Sequence, residues 1–201
     1  MNKRKTFTLS LATALIFSVL LSLSGFDANC REIENEVLRL HVIANSDKEE
    51  DQVLKLKVRD EVLRMETELW KTAENKTQAM CIVKEHIKEI EDIAQGIVTE
   101  NGYSYPVNAT LTNCYFPTRE YENFTLPAGN YDALRITIGK ANGKNWWCVL
   151  FPEICLGAAA DFGGVLSEES ENIVSNPADF KVEFKVVEVY RMMKEKISAI
   201  F

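Results

Sequence analysis

Residues 37–44 read Val-Leu-Arg-Leu-His-Val-Ile-Ala, and this stretch decides the class of fold. The even-numbered positions are all apolar, whereas the odd-numbered positions include Arg39 and His41. Side chains that alternate in this way predict a half-buried β-strand, with one face on an apolar core and with Arg39 and His41 on the other face. The turn-forming residues Asn45-Ser46-Asp47 end the strand.

Two amphipathic helices are predicted directly after this strand, at residues 48–71 and 77–100. Ser46 and Glu49 have the spacing of a capping box, which is typical of a helix start. The first helix carries one apolar stripe over residues 54–69 and a second stripe on nearly the opposite side. Two stripes predict contact from two sides. The helix is therefore either buried between the sheet and the second helix, or it uses one stripe to dock a partner.

The second half of the chain has the pattern of strands, starting near Tyr105. Alternating apolar residues predict later strands at 131–139, 146–151 and 181–186, followed by a terminal helix at about 188–200. Asn142-Gly143 is a preferred hairpin turn, so the strands at 131–139 and 146–151 are predicted to pair as a β-hairpin. Residues 152–179 are rich in Gly, Ala, Ser and Glu and are predicted to form a long flexible loop.

This order of elements predicts an α+β fold. A strand, two helices, three strands, a loop, a strand and a helix fit two layers, in which paired helices cover one face of a mostly antiparallel sheet. Residues 30–201 are expected to form this single domain.

A different kind of segment precedes the domain. Residues 2–5 are Asn-Lys-Arg-Lys, residues 7–23 are mainly apolar, and Ser22, Ser24 and Gly25 supply small side chains. This layout indicates a signal peptide over residues 1–25. The alternative is an uncleaved N-terminal membrane anchor helix, because the apolar run is close to the length that spans a bilayer. In both cases the domain from Cys30 onward is expected outside the cytoplasm.

The charge balance argues against nucleic-acid binding. The chain carries a formal net charge of -7 and has a sequence pI near 5.0. An acidic chain without a basic patch is poorly suited to a polyphosphate backbone. The chain has only two histidines, no zinc-ligand spacing and no Gly-rich phosphate loop, so we predict neither a metal nor a cofactor.

Cys148 and His41 form the one candidate catalytic pair. A thiolate nucleophile needs a base within hydrogen-bond reach, and the two residues lie on predicted strands that could meet across the sheet. The alternative function is therefore an extracytoplasmic cysteine hydrolase. Cys148 lies in a nearly continuous apolar run, however, and burial makes a thiol inert. We therefore expect no catalytic residues, and we expect Cys148 in the core or in a disulfide.

The cysteines admit one disulfide candidate. Five cysteines are present, and outside the cytoplasm they can pair. Cys148 and Cys155 are the best candidates, because Pro152 starts a turn that can bring Cys155 back. The alternative is that all five remain reduced.

Three segments resemble one family. They are Leu38–Asp60 with its string His-Val-Ile-Ala-Asn-Ser-Asp, Leu126–Gly139, and Gly143–Pro152 with its string Asn-Trp-Trp-Cys-Val-Leu-Phe-Pro. In the same order, and over roughly residues 30–156, they resemble stage II sporulation protein R of endospore-forming bacteria.

The resemblance implies an intercompartmental signalling role. Such proteins are secreted from the forespore into the space between forespore and mother cell. There they activate a membrane-embedded aspartic protease of the mother cell, whose extracytoplasmic face is the implied partner. The protease then removes the pro-segment of a sporulation sigma factor. A protein of this kind is a ligand and not an enzyme. A membrane-anchored structural protein of the spore envelope is a further alternative.

A docking surface needs a few rigid aromatic or well-placed polar side chains. Trp146 and Trp147 alternate across a strand, so one faces the helices and the other the open side of the sheet. We therefore expect the partner to bind the open sheet face. The candidate residues are His41, Arg135 and one of the two tryptophans, with Asn45, Asp47 and Asn145 at the ends of that face. The alternative is that these residues determine the fold, with Asn45 and Asn145 in particular setting turns.

Overall fold

The computed structural model describes residues 3–69, 72–152, 162 and 164–198. The helices are α1 (Lys3–Glu36), α2 (Glu49–Leu69), α3 (Lys76–Glu100), α4 (Glu168–Ser175) and α5 (Lys181–Ser198). The strands are β1 (Leu38–Ile43), β2 (Val107–Phe116), β3 (Arg119–Glu120), β4 (Thr125–Leu126), β5 (Gly129–Ile138) and β6 (Asn145–Phe151). A short 3-10 helix, Pro177–Phe180, directly precedes α5.

The fold divides into two compact units. The first unit comprises residues 1–33, 117–129 and 168–201, and the second comprises residues 34–116 and 130–167. Both units are discontinuous in sequence.

The second unit contains a four-stranded mixed sheet with the strand order β2-β5-β1-β6. β1 runs parallel to β5 and antiparallel to β6. Thr137 Oγ1 donates to the carbonyl of Asn108, and Asn113 contacts Asp132, so β2 and β5 run in opposite directions. The α+β class is confirmed. The sheet was predicted to be mostly antiparallel, and this needs one correction: its two central strands, β5 and β1, run parallel.

The predicted β-hairpin is wrong. β5 and β6 are not neighbours, because β1 lies between them. The loop that joins them passes over the end of β1, where Gly143 N–H donates to the Ala44 carbonyl at 2.9 Å and Asn142 N–H donates to the Asn45 carbonyl at 3.2 Å. Asn-Gly specifies a chain reversal, but it does not specify which strands pair on either side of it.

The core of the second unit lies between the sheet and the helices α2 and α3. Leu40 and Val42 of β1 are fully buried in it, together with Val58 of α2 and Val83 of α3. The sequence therefore identified the helices and the apolar face of β1. The second stripe of α2 is not uniformly buried, since Leu56 is 37% exposed.

The first unit has its own core, built on the C-terminal half of α1. Phe26 and Cys30 pack with Phe184 and Val187 of α5 and with Ile173 of α4. The predicted strand at 181–186 is therefore wrong, because this segment begins α5. The alternation of apolar and polar residues covers only six positions. Phe184, Val187 and Arg191 have the spacing of one face of a helix, and the contacts of that face determine the conformation of the segment.

The predicted long loop at 152–179 also needs correction. Its last part forms α4 and the short 3-10 helix. Residues 153–161 and 163 lie outside the described residues.

The predicted signal or anchor segment is helical over residues 3–25, and α1 continues without a break to Glu36. Several of its apolar side chains are exposed, among them Phe7, Leu15 and Phe17. In the part of the chain that the structure describes, no helix is both long enough and apolar enough to cross a membrane.

Candidate functional site

The site is built on the face of the sheet opposite to α2 and α3. In the strand register, His41 of the central strand β1 lies beside Arg135 of β5 on one side and beside Trp147 of β6 on the other. Directly paired residues of a sheet project to the same face. Three of the predicted partner-binding residues are thus brought together from three separate parts of the chain.

Asn145 extends this group along β6. The Nε2 atom of His41 lies 3.0 Å from Asn145 Oδ1. Because an amide oxygen only accepts hydrogen bonds, Nε2 is the donor and carries the proton. We call His41, Arg135, Asn145 and Trp147 the His41 patch. Of these residues Asn145 is exposed, and the other three are half-buried.

His41 is held as a neutral base. Burial lowers the pKa of His41 below its ordinary value; the hydrogen bond to Asn145 opposes this, and the charges of Arg135 and Arg39 lower the pKa further. Nδ1 is then the acceptor of the neutral ring, and it is buried without a hydrogen-bond partner among the described residues.

Beneath the patch lies a buried cation enclosed by aromatic rings. Arg39 is fully buried, and its Nε donates to the Cys148 carbonyl at 3.0 Å. Its guanidinium carbon lies 4.4 Å from the centre of the Phe116 ring and 5.0 Å from that of Tyr131. A desolvated cation over aromatic faces is a stabilising arrangement. Sequence reasoning missed this cluster, because alternation along β1 does not show which rings from distant parts of the chain lie against Arg39.

The aromatic cluster continues to the patch itself. The His41 ring centre lies 5.7 Å from that of Phe116 and 5.7 Å from that of Trp147. Edge-to-face and tilted arrangements at this separation are favourable. Trp147 is therefore held in place from one side by side chains that are themselves packed.

Arg135 supplies positive charge at the surface of the patch. Its Nε is buried and has no hydrogen-bond partner among the described residues. Burial raises the pKa of the neighbouring Cys114 thiol. The positive charges of Arg135 and Arg39 partly offset this increase. The face is thus locally positive on a chain whose net charge is -7. This arrangement suits a carboxylate from a partner, which Arg can bind through two parallel hydrogen bonds.

The two tryptophans have different roles in the structure. Trp146 is on the helix side, where its ring lies 4.8 Å from the guanidinium carbon of Arg59 and packs partly buried against the core. Trp147 is the tryptophan that belongs to the patch. The alternation predicted this division but did not say which residue faces which side.

Asn45 determines a turn and does not belong to the patch. Its Oδ1 accepts from the Lys140 N–H at 3.0 Å, and its Nδ2 donates to Asp51 Oδ2 at 2.9 Å. Ser46 Oγ donates to the same Asp51 oxygen at 2.5 Å. Asp47 is exposed in this turn, outside the patch.

Asp51 anchors this turn as a buried carboxylate. Burial acts to raise the pKa of Asp51, but hydrogen bonds from Ser46, Asn45 and Tyr105 outweigh it and hold the pKa below the usual value. Asp51 therefore joins the end of β1 to the start of α2 in its ionised form.

The Cys148–His41 catalytic pair is not formed. Cys148 is buried in the core between the sheet and the helices, whereas His41 projects from the opposite face. Cys148 is also disulfide-bonded, which removes the thiolate that the hydrolase alternative requires. Cys155, its predicted partner, lies outside the described residues, so the predicted pairing stays a prediction. Among the described residues, Cys30, Cys81 and Cys114 are free of disulfides.

A cleft of about 700 Å³ is a separate feature of the first unit. It lies between the β3–β4 pair and the start of α5, and its walls include Arg119, Tyr121 and Lys181. None of the predicted site residues lines it. Across the described residues, no group of three or more His, Cys, Asp or Glu side chains is arranged to hold a metal ion.

Comparison with known proteins gives the family. A family model described as stage II sporulation protein R matches residues 34–161. The chain belongs to the stage II sporulation protein R family. One curated member, stage II sporulation protein R of Bacillus subtilis (strain 168), is 34% identical over 152 residues, which cover 75% of this chain and 66% of the relative. No solved structure is similar to the chain.

Membership of the stage II sporulation protein R family confirms the resemblance seen in the sequence and connects the protein with sporulation. The matched region contains the whole His41 patch and all of the sheet. It also contains the turn built on Asn45 and Asp51. The part of the chain that defines the family is therefore the part that forms and supports the patch.

Proposed function

We propose that the protein is an exported sporulation signal that activates a membrane-embedded aspartic protease by binding its extracytoplasmic face through the His41 patch. The protein would be secreted across the forespore membrane into the space between forespore and mother cell. Activation would lead to processing of a sporulation sigma-factor precursor. The observation that carries the proposal is the convergence of His41, Arg135 and Trp147 on one half-buried face.

The composition of the patch supports a protein partner. Tryptophan and arginine are the residues most enriched among binding hot spots, and such residues sit in packed surroundings. Trp147 supplies aromatic area, and Arg135, which is half-buried beside His41, supplies positive charge. The partner segment would present a carboxylate to Arg135 and an apolar group to Trp147.

Binding activates the protease only if it favours the active state. A ligand shifts a conformational equilibrium by the difference between its affinities for the two states. The proposed mechanism is therefore that the patch binds the active or dimeric form of the protease more tightly than the inactive form. No bond is made or broken by the protein itself.

The proposal is tested by co-expressing the protein with the candidate protease and its precursor substrate, and scoring cleavage of the precursor. Trp147→Ala and Arg135→Gln are expected to weaken receptor binding by about 30-fold or more, as for hot-spot residues, and to abolish cleavage. Val53→Ala, an exposed apolar change on α2, is the matched control and is expected to leave cleavage intact.

Circular dichroism and thermal unfolding of each purified variant separate loss of binding from loss of fold. The proposal fails if Trp147→Ala and Arg135→Gln are both folded and activate the protease as well as the wild type does. It also fails if the purified protein does not bind the extracytoplasmic part of the protease.

A further inference from the structure

Helix α5 presents an apolar stripe to solvent along its whole described length. Val182 is 73% exposed, Tyr190 57%, Met193 58% and Ile197 54%. Val186 and Val189 are also exposed, so the members recur at spacings of three and four residues. This is the spacing of one continuous face of a helix. From residue 182 to residue 197 the stripe extends for about 22 Å.

The opposite side of α5 fixes the direction of this stripe. Phe184 and Val187 are buried in the core of the first unit. Arg191 donates to Asp27 at 2.9 Å and to the Ala128 carbonyl at 2.7 Å. The helix is therefore anchored by one face, and the apolar stripe remains outward.

The charge on α5 is opposite in sign to that of the chain. The helix contains five cationic and three acidic residues, whereas the whole chain has a net charge of -7. At about 100° per residue, Lys181, Lys185 and Lys196 lie along one border of the stripe. All three are exposed. Lysines at such a border can lay their carbon chains on an apolar surface and keep their charges in the polar layer.

Helix α1 of the same unit carries a second exposed apolar surface. Leu9, Leu11 and Leu21 are each at least 59% exposed. α1 contacts α5 directly, since the rings of Phe26 and Phe184 pack edge to face with their centres 5.3 Å apart. Two contacting helices thus both expose apolar side chains that a folded protein in water normally covers.

We propose that α5 lies on the surface of an anionic lipid bilayer, with its apolar stripe in the boundary between headgroups and acyl chains and its bordering lysines on the phosphates. A helix with an apolar face, a lysine-containing polar face and no capacity to cross the bilayer is typical of this mode of binding. Anionic lipid supplies the charge that complements a cationic helix on an acidic chain. This inference goes beyond the proposed receptor contact, because it concerns a different unit and a different partner.

The test places a fluorescent probe on the stripe and asks whether it enters the bilayer. The full chain with Cys81→Ser and Cys114→Ser is labelled at Val189→Cys, and the matched control is labelled at Val53→Cys. These two valines are equally exposed, at 44% and 48%, and lie in different units. Each protein is mixed with vesicles of phosphatidylcholine and phosphatidylglycerol that contain acyl chains carrying a nitroxide quencher.

We expect quenching at position 189 to be at least about threefold stronger than at position 53. The combined change Lys181→Gln, Lys185→Gln and Lys196→Gln, or vesicles of phosphatidylcholine alone, should reduce the quenching at position 189. Circular dichroism checks that each variant is folded. Because the probe reports on position 189 itself, membrane attachment through α1 does not produce the expected result.

Each of three outcomes would overturn the proposal. One is equal quenching at positions 189 and 53 while the protein floats with the vesicles, which would show that α5 stays in water. Another is quenching at position 189 that is the same in neutral and anionic vesicles and is unaffected by the lysine changes. If the stripe becomes protected only when a receptor protein is added, its partner is a protein and the bilayer assignment is wrong.

Discussion

At the scale of single residues, Arg39 determines how the His41 patch is held. It is fully buried, it donates to the Cys148 carbonyl of β6, and its planar guanidinium lies against Phe116 and Tyr131. One side chain thus connects β1 with β2, β5 and β6. Its charge also acts on His41, whose pKa it helps to lower.

Arg39→Lys is expected to lower the free energy of unfolding by about 2 kcal/mol, because a desolvated cation–π contact is lost and an ammonium group cannot reproduce the planar stacking. Urea unfolding monitored by tryptophan fluorescence measures the change. Arg59→Lys is the control, since Arg59 also lies over a tryptophan but is partly exposed. Equal effects of the two substitutions would contradict the role given to burial.

His41 is expected to make the protein less stable as the pH falls. Its pKa in the folded protein is below the ordinary value of 6.5, so on acidification the unfolded chain takes up this proton first. Its contribution to the free energy of unfolding is therefore constant above pH 6.5 and decreases as the pH falls from 6.5 toward the lowered pKa. Unfolding of the wild type and of His41→Gln at a series of pH values measures the difference. The prediction is contradicted if the wild type loses no more stability than His41→Gln as the pH falls through that range.

At the scale of elements, the central position of β1 depends on the loop between β5 and β6. That loop crosses the end of β1, and Gly143 lies against the backbone there. A β-carbon on Gly143 would lie 2.3 Å from the Ser46 carbonyl oxygen and 2.6 Å from its carbon. The neighbouring Gly139 has a φ of +59° and would meet Asn45 Oδ1 at 2.3 Å. Glycines therefore permit the close approach that lets β6 pair with β1.

Gly143→Ala is expected to cost about 1–3 kcal/mol of stability, because a backbone contact cannot be relieved by moving a side chain. Gly96→Ala in α3 is the matched control, since no atom lies within 4 Å of its added β-carbon. Removing glycine from a helix interior stabilises by roughly 0.5–1 kcal/mol, so the two substitutions should have opposite signs. Thermal unfolding measures the stability of both variants. If Gly143→Ala did not change the stability, the turn would be able to adjust to the added β-carbon.

At the scale of the whole molecule, α1 combines two different surfaces. Its N-terminal part exposes apolar side chains, whereas Phe26, Cys30 and Ile33 are buried. The boundary falls close to residue 25, where the sequence predicted the end of a signal or anchor segment. All three buried residues lie after that position, so they would remain if the segment were removed.

Phe26→Ala is expected to destabilise the first unit by about 3–5 kcal/mol, as for a buried phenylalanine replaced by alanine. Phe26 is 6% exposed, whereas Phe17 on the same helix is 63% exposed, so Phe17→Ala should leave unfolding unchanged. Hydrogen exchange of amides in α4 and α5 reports on the unit directly. Unchanged protection in Phe26→Ala would show that α1 does not belong to this core.

The candidate site was predictable in part. The sequence named His41, Arg135, Asn145 and a tryptophan, because β-strand alternation assigns side chains to faces. It did not choose between Trp146 and Trp147, and it did not show that Phe116 and Tyr131 enclose Arg39. It also grouped Asn45 and Asp47 with the site, although the hydrogen bonds of Asn45 serve the turn.

The sequence by itself determined β1 with its apolar face, the helices α2 and α3, and the family, because periodicity and rare strings are properties of neighbouring residues. Only the tertiary structure decided that β1 lies between β5 and β6, that residues 181–186 are helical, and that α1 supplies the core of a separate unit. These outcomes depend on contacts between residues far apart in the chain. A turn signal or a short alternation is compatible with several such arrangements, and burial against distant partners selects one of them.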